Sequence, residues 1–301
     1  MQSFFKENEK ASAGEIIARG SYEDNESVRT LEIPRDVTEI ADNAFSDFEC
    51  IEKVIIPKSV KRIGSSAFSG CKNIRSVTLS YGLSEIADEA FSGCSSLLGI
   101  SLPDSVRFIG EGAFEGCASL GGIKLSECCE SIGTSAFAYC FNLQSVEIPD
   151  SCHTVEMCAF LCCFSLEWAK LSNNIELLPE SLFEGCRSLK SVDLPTKLVK
   201  ISERCFKGCS SLSGVILPHG TKYIGLDAFA DCSSLERIAL PVGLSYIEDV
   251  DAFGGCTSLS EISFGGDSEA WENITRGKVI SVRREDMTVH VPKLTFMNLK
   301  K

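Results

Sequence analysis

Histidine is scarce in this 301-residue chain: His153, His219 and His290 are the only three, and they lie far apart. General acid–base chemistry or a histidine-rich metal cage needs rings that converge, so each is read as a surface residue. Positive charge is the minority sign, with 29 Lys and Arg against 42 Asp and Glu, a formal net charge of −13. That balance argues against nucleic acid, whose phosphates demand a basic footprint, and against anionic membrane surfaces. It suits a long open molecule that must stay soluble. No apolar run approaches the roughly 18 residues that cross a bilayer, so no membrane insertion is expected. The opening MQSFFKENEK lacks the apolar core of a secretory leader. A cytoplasmic location is therefore expected, or a secreted or cell-surface one if an export signal has been removed.

What is abundant is periodic. Phe45, Phe68, Phe91, Phe114, Phe137, Phe160, Phe183, Phe206 and Phe229 recur every 23 residues, and Phe253 follows at 24 after an insertion near Asp249–Asp251. Alanine precedes the Phe everywhere except at Leu182 and Cys205. Three residues after the Phe stand Cys71, Cys94, Cys117, Cys140, Cys163, Cys186, Cys209, Cys232 and Cys256, with Phe48 in that place in the first copy. A fixed period of this length marks a repeat architecture.

One unit shows the physics. Ile100 and Leu102 alternate with Gly99 and Ser101, the period-two pattern of a strand with one face buried. Pro103 then stops the strand, having no N–H to donate; its counterparts are Pro34, Pro57, Pro149, Pro195, Pro218 and Pro241. Val106 and Ile109 turn back inward. The AFxGC segment reads as one short helical turn with cap-type residues upstream (Asp42, Ser65, Asp88, Thr134) and glycine where a left-handed backbone is wanted. A single unit cannot cover its own apolar face, but stacked units bury continuous columns of Ile/Val/Leu, Ala, Phe and Cys.

The pattern LxxVxLPxSVxxIGxxAFxGCxSL resembles the BspA-like leucine-rich repeats of many bacteria and some protists, over roughly Val28 to Phe264. The resemblance implies an α/β fold: a right-handed leucine-rich-repeat solenoid of about 10–11 coils. Its short parallel strands would line the concave face and its short helical turns the convex side. At about 4.8 Å per strand the concave sheet would run on the order of 50 Å. The stretch from Phe264 through Trp271 to Ile274 is similar to the closing segment of bacterial members. Residues 1–27 are then an N-terminal cap, with a short helix ending near Gly20, residues 28–264 the solenoid, and 265–301 a C-terminal cap. Covers are needed because open ends expose core and strand edge. Many members of this family are exported, which favours the cell-surface alternative.

Sixteen cysteines raise disulfides, zinc and redox chemistry. Nine form the ladder and are read as small buried hydrophobes. Cys129 and Cys152 replace Val in the inward column, and Cys205 replaces Ala. Cys50, Cys128, Cys158 and Cys162 fall where side chains face solvent or turns. Zinc needs four converging ligands, whereas Cys158 and Cys163 should point to different sides of the coil. Buried neutral thiols in a reducing compartment are the simpler reading; a thiol-redox or zinc-binding protein stays as an alternative.

No catalytic constellation is legible, the glycines follow the repeat rather than a phosphate cradle, and no cofactor or metal is expected. The sequons at Asn25 and Asn273 carry little weight. The expected function is a non-enzymatic scaffold that binds a protein partner through the concave face; a surface adhesin recognising host matrix or glycan is the alternative. Outward strand positions there are mostly small, and Trp168 stands among them with Lys124, Glu147, Lys170 and Asp193 beside it. These five form the candidate partner site, since an exposed Trp is a natural anchor. The competing reading is that Trp168 tucks over an irregular repeat, in which Ala169 replaces Val and Leu182 replaces Ala.

Overall fold

The structure, a computed structural model, describes residues 15–17, 28–276, 280, 282–283, 289–290 and 292–297. Successive coils stack in register, and each has three sides. Strands on the first side run from Thr30–Glu32, Lys53–Ile56 and Ser76–Leu79 through Trp168–Lys170 and Ser191–Asp193 to Glu261–Phe264. All pair parallel, one per coil, with Val54 facing Val77 and Ile238 facing Ile262. Every second side chain turns inward, so Val54, Val146 and Ile238 are buried while Lys53, Ser145 and Arg237 are exposed. This is the concave sheet read from the period-two pattern. It is not continuous: the strands Gly122–Lys124 and Ser145–Glu147 do not pair, nor do Ser191–Asp193 and Gly214–Ile216.

The second side is a sheet that the sequence did not announce. Segments such as Arg62–Ile63, Glu85–Ile86 and Phe108–Ile109 form two-residue parallel strands, Ile63 against Ile86 and Ile86 against Ile109. The isoleucines are buried, as expected for a residue turning inward, and their β-branched side chains suit a short strand.

On the third side the expected helical turn takes another form. Alternate N–H groups bond along the stack: Ser66, Phe68 and Gly70 donate to Asp88, Ala90 and Ser92 one coil on, each at 2.8 Å. The intervening Ala67, Ser69 and Cys71 donate three residues back, at 3.1–3.2 Å. This alternation places a left-handed residue two positions before and two after the phenylalanine, as at Ser66 (φ 53°) and Gly70 (φ 73°). The Asp42 and Asp88 carboxylates, read as caps of their own turn, accept instead from the N–H of Ser65 and Glu111 in the next coil, at 2.7 and 2.8 Å.

The core is a set of columns. Ten phenylalanine rings from Phe45 to Phe253 stack with centroids 5.1–5.7 Å apart and planes within 18° of parallel. Beside them runs the cysteine ladder, all nine thiols buried. Each Sγ donates to the carbonyl of the phenylalanine one coil back, Cys71 to Phe45 at 2.9 Å and Cys94 to Phe68 at 3.2 Å.

At the C-terminal end the helix Ser268–Thr275, capped by the Asp267 carboxylate on the Ala270 N–H, lays Trp271 against Phe264 with ring centroids 5.4 Å apart. The strand Lys293–Phe296 pairs parallel with Glu261–Phe264 and extends the concave sheet. At the other end, Glu15–Ile17 pairs parallel with Val37–Ile40, a strand in the stretch read as a short cap helix. The rest of that stretch, including the Asn25 sequon, and much of 277–301 lie outside the described residues.

Candidate interaction surface

Trp168 belongs to the strand Trp168–Lys170, where it is half-buried and aligned with Ser145 on one neighbouring strand and Ser191 on the other. Serine on both sides leaves the faces of the indole without a large neighbour in its row. Two residues along, Lys170 aligns with Glu147 and Asp193, all three exposed. None of the three forms an ion pair within the structure among the described residues. Lys170 reaches Asp150 only at long range, where it helps hold that carboxyl below the ordinary value after the hydrogen bonds from Asn173.

Four of the five expected site residues are thus brought together: Trp168, Lys170, Glu147 and Asp193 lie on three adjoining paired strands. Lys124 is exposed too, but it aligns with Ser101 and belongs to the sheet segment on the far side of the first break.

The two breaks in the concave sheet escaped sequence reasoning, as did a break in the second sheet between Thr154–Val155 and Leu177–Leu178 and two hollows. One, of about 720 Å³, runs along the outside of the second sheet past Thr154, Leu177, Lys200 and Tyr223 and beneath Glu156 and Glu180. Its sequence signals were apolar residues at outward positions, Met157 at 49% and Leu177 at 45% exposure. Another, of about 520 Å³, brings Cys128 and His153 to one depression with Asp104 and Glu130. Among the described residues, no three His, Cys, Asp or Glu side chains are grouped as metal ligands.

The remaining cysteines have plain surroundings. The fifteen from Cys71 to Cys256 are free thiols. Burial pushes Cys71 up to about 12 and holds Cys94, Cys117 and Cys140 well above the ordinary thiol value. Cys129 and Cys152 stack in the inward column, where the hydrogen bond between them, then burial, pushes Cys129 up. Cys158 and Cys162 occupy the two left-handed positions flanking Phe160, with φ of 58° and 57°. Burial raises both thiols, and Glu184 adds to the shift. A thiol held neutral in this way is a poor nucleophile.

Comparison with known proteins agrees with this architecture. No curated protein sequence matches the chain. Among solved structures it is similar to the T. pallidum leucine-rich repeat protein, at 30% identity over 66% of this chain and 83% of that one, TM-score 0.50. It is also similar to a leucine-rich repeat protein from Bacteroides ovatus, at 25% identity over 94% of this chain and 87% of that one, TM-score 0.42. The pneumococcal vaccine antigen PcpA, at 20% identity over 91% of this chain and 78% of that one, TM-score 0.55, shares the fold. The model of the BspA type leucine rich repeat region matches six copies across residues 15–144 and 153–275, and with its ladders of Phe and Cys in register the chain belongs to the BspA-type leucine-rich-repeat family.

Proposed function

We propose that the chain is a non-enzymatic scaffold whose concave sheet receives a protein partner at Trp168 and the row Glu147–Lys170–Asp193. One observation carries the reading: three exposed charges of alternating sign stand in register beside a half-buried Trp and, among the described residues, form no ion pairs. Such a row offers a partner complementary charges that set orientation and encounter rate, while the indole supplies the apolar anchor. The repeat supports the non-enzymatic part, since Phe, Cys, Gly and Pro are accounted for by packing, hydrogen bonding and turns. For its compartment we propose the cytoplasm, because fifteen free thiols suit reducing surroundings.

The test is affinity capture from cells of the source, run beside a Trp168→Asp, Lys170→Glu variant first shown to melt like the wild type. A protein retained by the wild type and lost by the variant is the expected result. Retention of the same set by both, or of nothing by either, would sink the concave-face reading.

A further inference from the structure

The second break in the concave sheet is more than a missing ladder. On one side of it, the Leu171 N–H donates to Asp193 O at 3.1 Å; on the other, the Leu217 N–H donates to Ala239 O at 3.0 Å. Between them, among the described residues, no hydrogen bond joins Ser191–Asp193 to Gly214–Ile216. The other two sides of the same coils stay closed. Ile201 still aligns with Ile224, and Phe206 still stacks on Phe229 with centroids 5.2 Å apart. The coils therefore part like a wedge, open only toward the concave face.

Inside the wedge lies a cavity of about 230 Å³ whose floor is Phe206 and Leu212 and whose walls are Val192, Leu194 and Val215. In the same columns one coil away, Ala169, Ile238 and Leu217 are buried, whereas Val192, Leu194 and Val215 are half-exposed. Ile216, at 81% exposure, stands at the mouth. Among the described residues, no charged side chain lines the cavity. Apolar cavities of about 150 Å³ accept benzene, so this one has room for a single branched or aromatic side chain. Along its rims, the main-chain groups that pair elsewhere in the sheet are left for water or for another chain.

We infer that this opening is a docking pocket for an extended segment of a partner protein, which inserts one apolar side chain and bonds its main chain to the two unpaired strand edges. The exposed edges favour a polypeptide over a free apolar molecule, because only a strand-like ligand satisfies both the cavity and the edges. The strand Ser191–Asp193 serves as one rim and also carries Asp193 of the charged row, so the pocket continues the proposed partner site. The inference rests on the concave-face reading and gives it a ligand class.

The experiment is selection of a displayed random-peptide library on the full folded chain, followed by binding measurements on three variants. Val215→Phe fills the cavity. Gly214→Leu covers its mouth with little strain, since a Cβ there meets only the Arg237 carbonyl at 3.6 Å, and it keeps the test alive should Val215→Phe misfold. Trp168→Asp perturbs the neighbouring site. Selected peptides should share an apolar residue, and both pocket variants should weaken them at least tenfold. Failure to enrich any peptide overturns the inference, as does undiminished binding by the pocket variants. In the latter case, loss on Trp168→Asp leaves the concave-face reading standing without the pocket, and retention there removes both.

Discussion

The Cys117 thiol donates to the main-chain carbonyl of Phe91, one coil back, at 3.2 Å, and the same carbonyl accepts the Cys94 N–H at 3.1 Å. The cysteine column is therefore a line of buried donors as well as a line of small apolar side chains. A carbonyl with two lone pairs takes both bonds, and the stack repeats the arrangement in every coil. This separates two substitutions. Cys117→Ala removes the donor and opens a void, which should cost about 1–2 kcal/mol. Cys117→Ser keeps a donor in place and should lose less. Urea unfolding of the two variants decides it: an alanine variant as stable as the serine one means that the thiol serves packing alone.

Glycine is required at two kinds of position for different reasons. Gly93 has φ +70°, and an added Cβ would meet nothing closer than the Gly70 nitrogen at 3.6 Å. Gly93→Ala should thus cost only left-handed strain, about 1 kcal/mol. Gly110 lies elsewhere in the coil, and its Cβ would come within 2.6 Å of the Asp88 backbone nitrogen. Because two coils would have to separate, Gly110→Ala should cost more than about 2 kcal/mol. Unfolding midpoints measured side by side test the order; the reverse order would mean that coil spacing is softer than the stack of hydrogen bonds implies.

The columns were readable because each coil touches only its neighbours, so a buried position recurs every 23 residues with the same chemistry. Phe, Ala and Cys in register gave away the core, and alternation at Gly99–Leu102 gave away the concave sheet. The acceptor of the thiol ladder was hidden, since a main-chain carbonyl leaves no mark in a sequence. Asp42 and Asp88 looked like caps because a carboxylate before a turn has that meaning in a helix; here the nearest orphan N–H belongs to the next coil. Strands of two residues, such as Ile86 with its neighbour, are too short for any periodicity to show. In the candidate site, the register of Glu147, Lys170 and Asp193 followed from the repeat. The isolation of Lys124 and the wedge beside Val215 did not, because a parting of coils depends on packing across the whole turn and no residue type announces it.

Thiol accessibility is the third prediction. Cys128 is exposed, Cys50, Cys158 and Cys162 are half-buried, and the other twelve cysteines are buried. A chromogenic disulfide reagent at pH 8 should modify Cys128 first and the half-buried three more slowly, with the twelve reacting only on unfolding. Mass mapping of the labelled peptides checks the order. Rapid labelling of Cys117 in the folded chain would contradict the sealed core.

The ladder also sets a pH limit. Burial raises the thiols of Cys71, Cys94, Cys117, Cys140, Cys163, Cys186, Cys209 and Cys232, Cys71 to about 12 and most of the others well above the ordinary value; at Cys232 the hydrogen bond with Cys256 leads and burial follows. In the unfolded chain a thiol ionises near 8.5. Between that value and the folded one, the unfolded state has shed a proton that the folded state keeps, so stability is full below about pH 8.5 and falls as pH rises. Each thiol contributes a slope of up to about 1.4 kcal/mol per pH unit. The chain should therefore keep its melting temperature from pH 6 to 8 and lose it progressively as pH rises above about 8.5. Melting curves across that range provide the measurement, and a flat profile to pH 10 would show that the ladder thiols are not held neutral by burial.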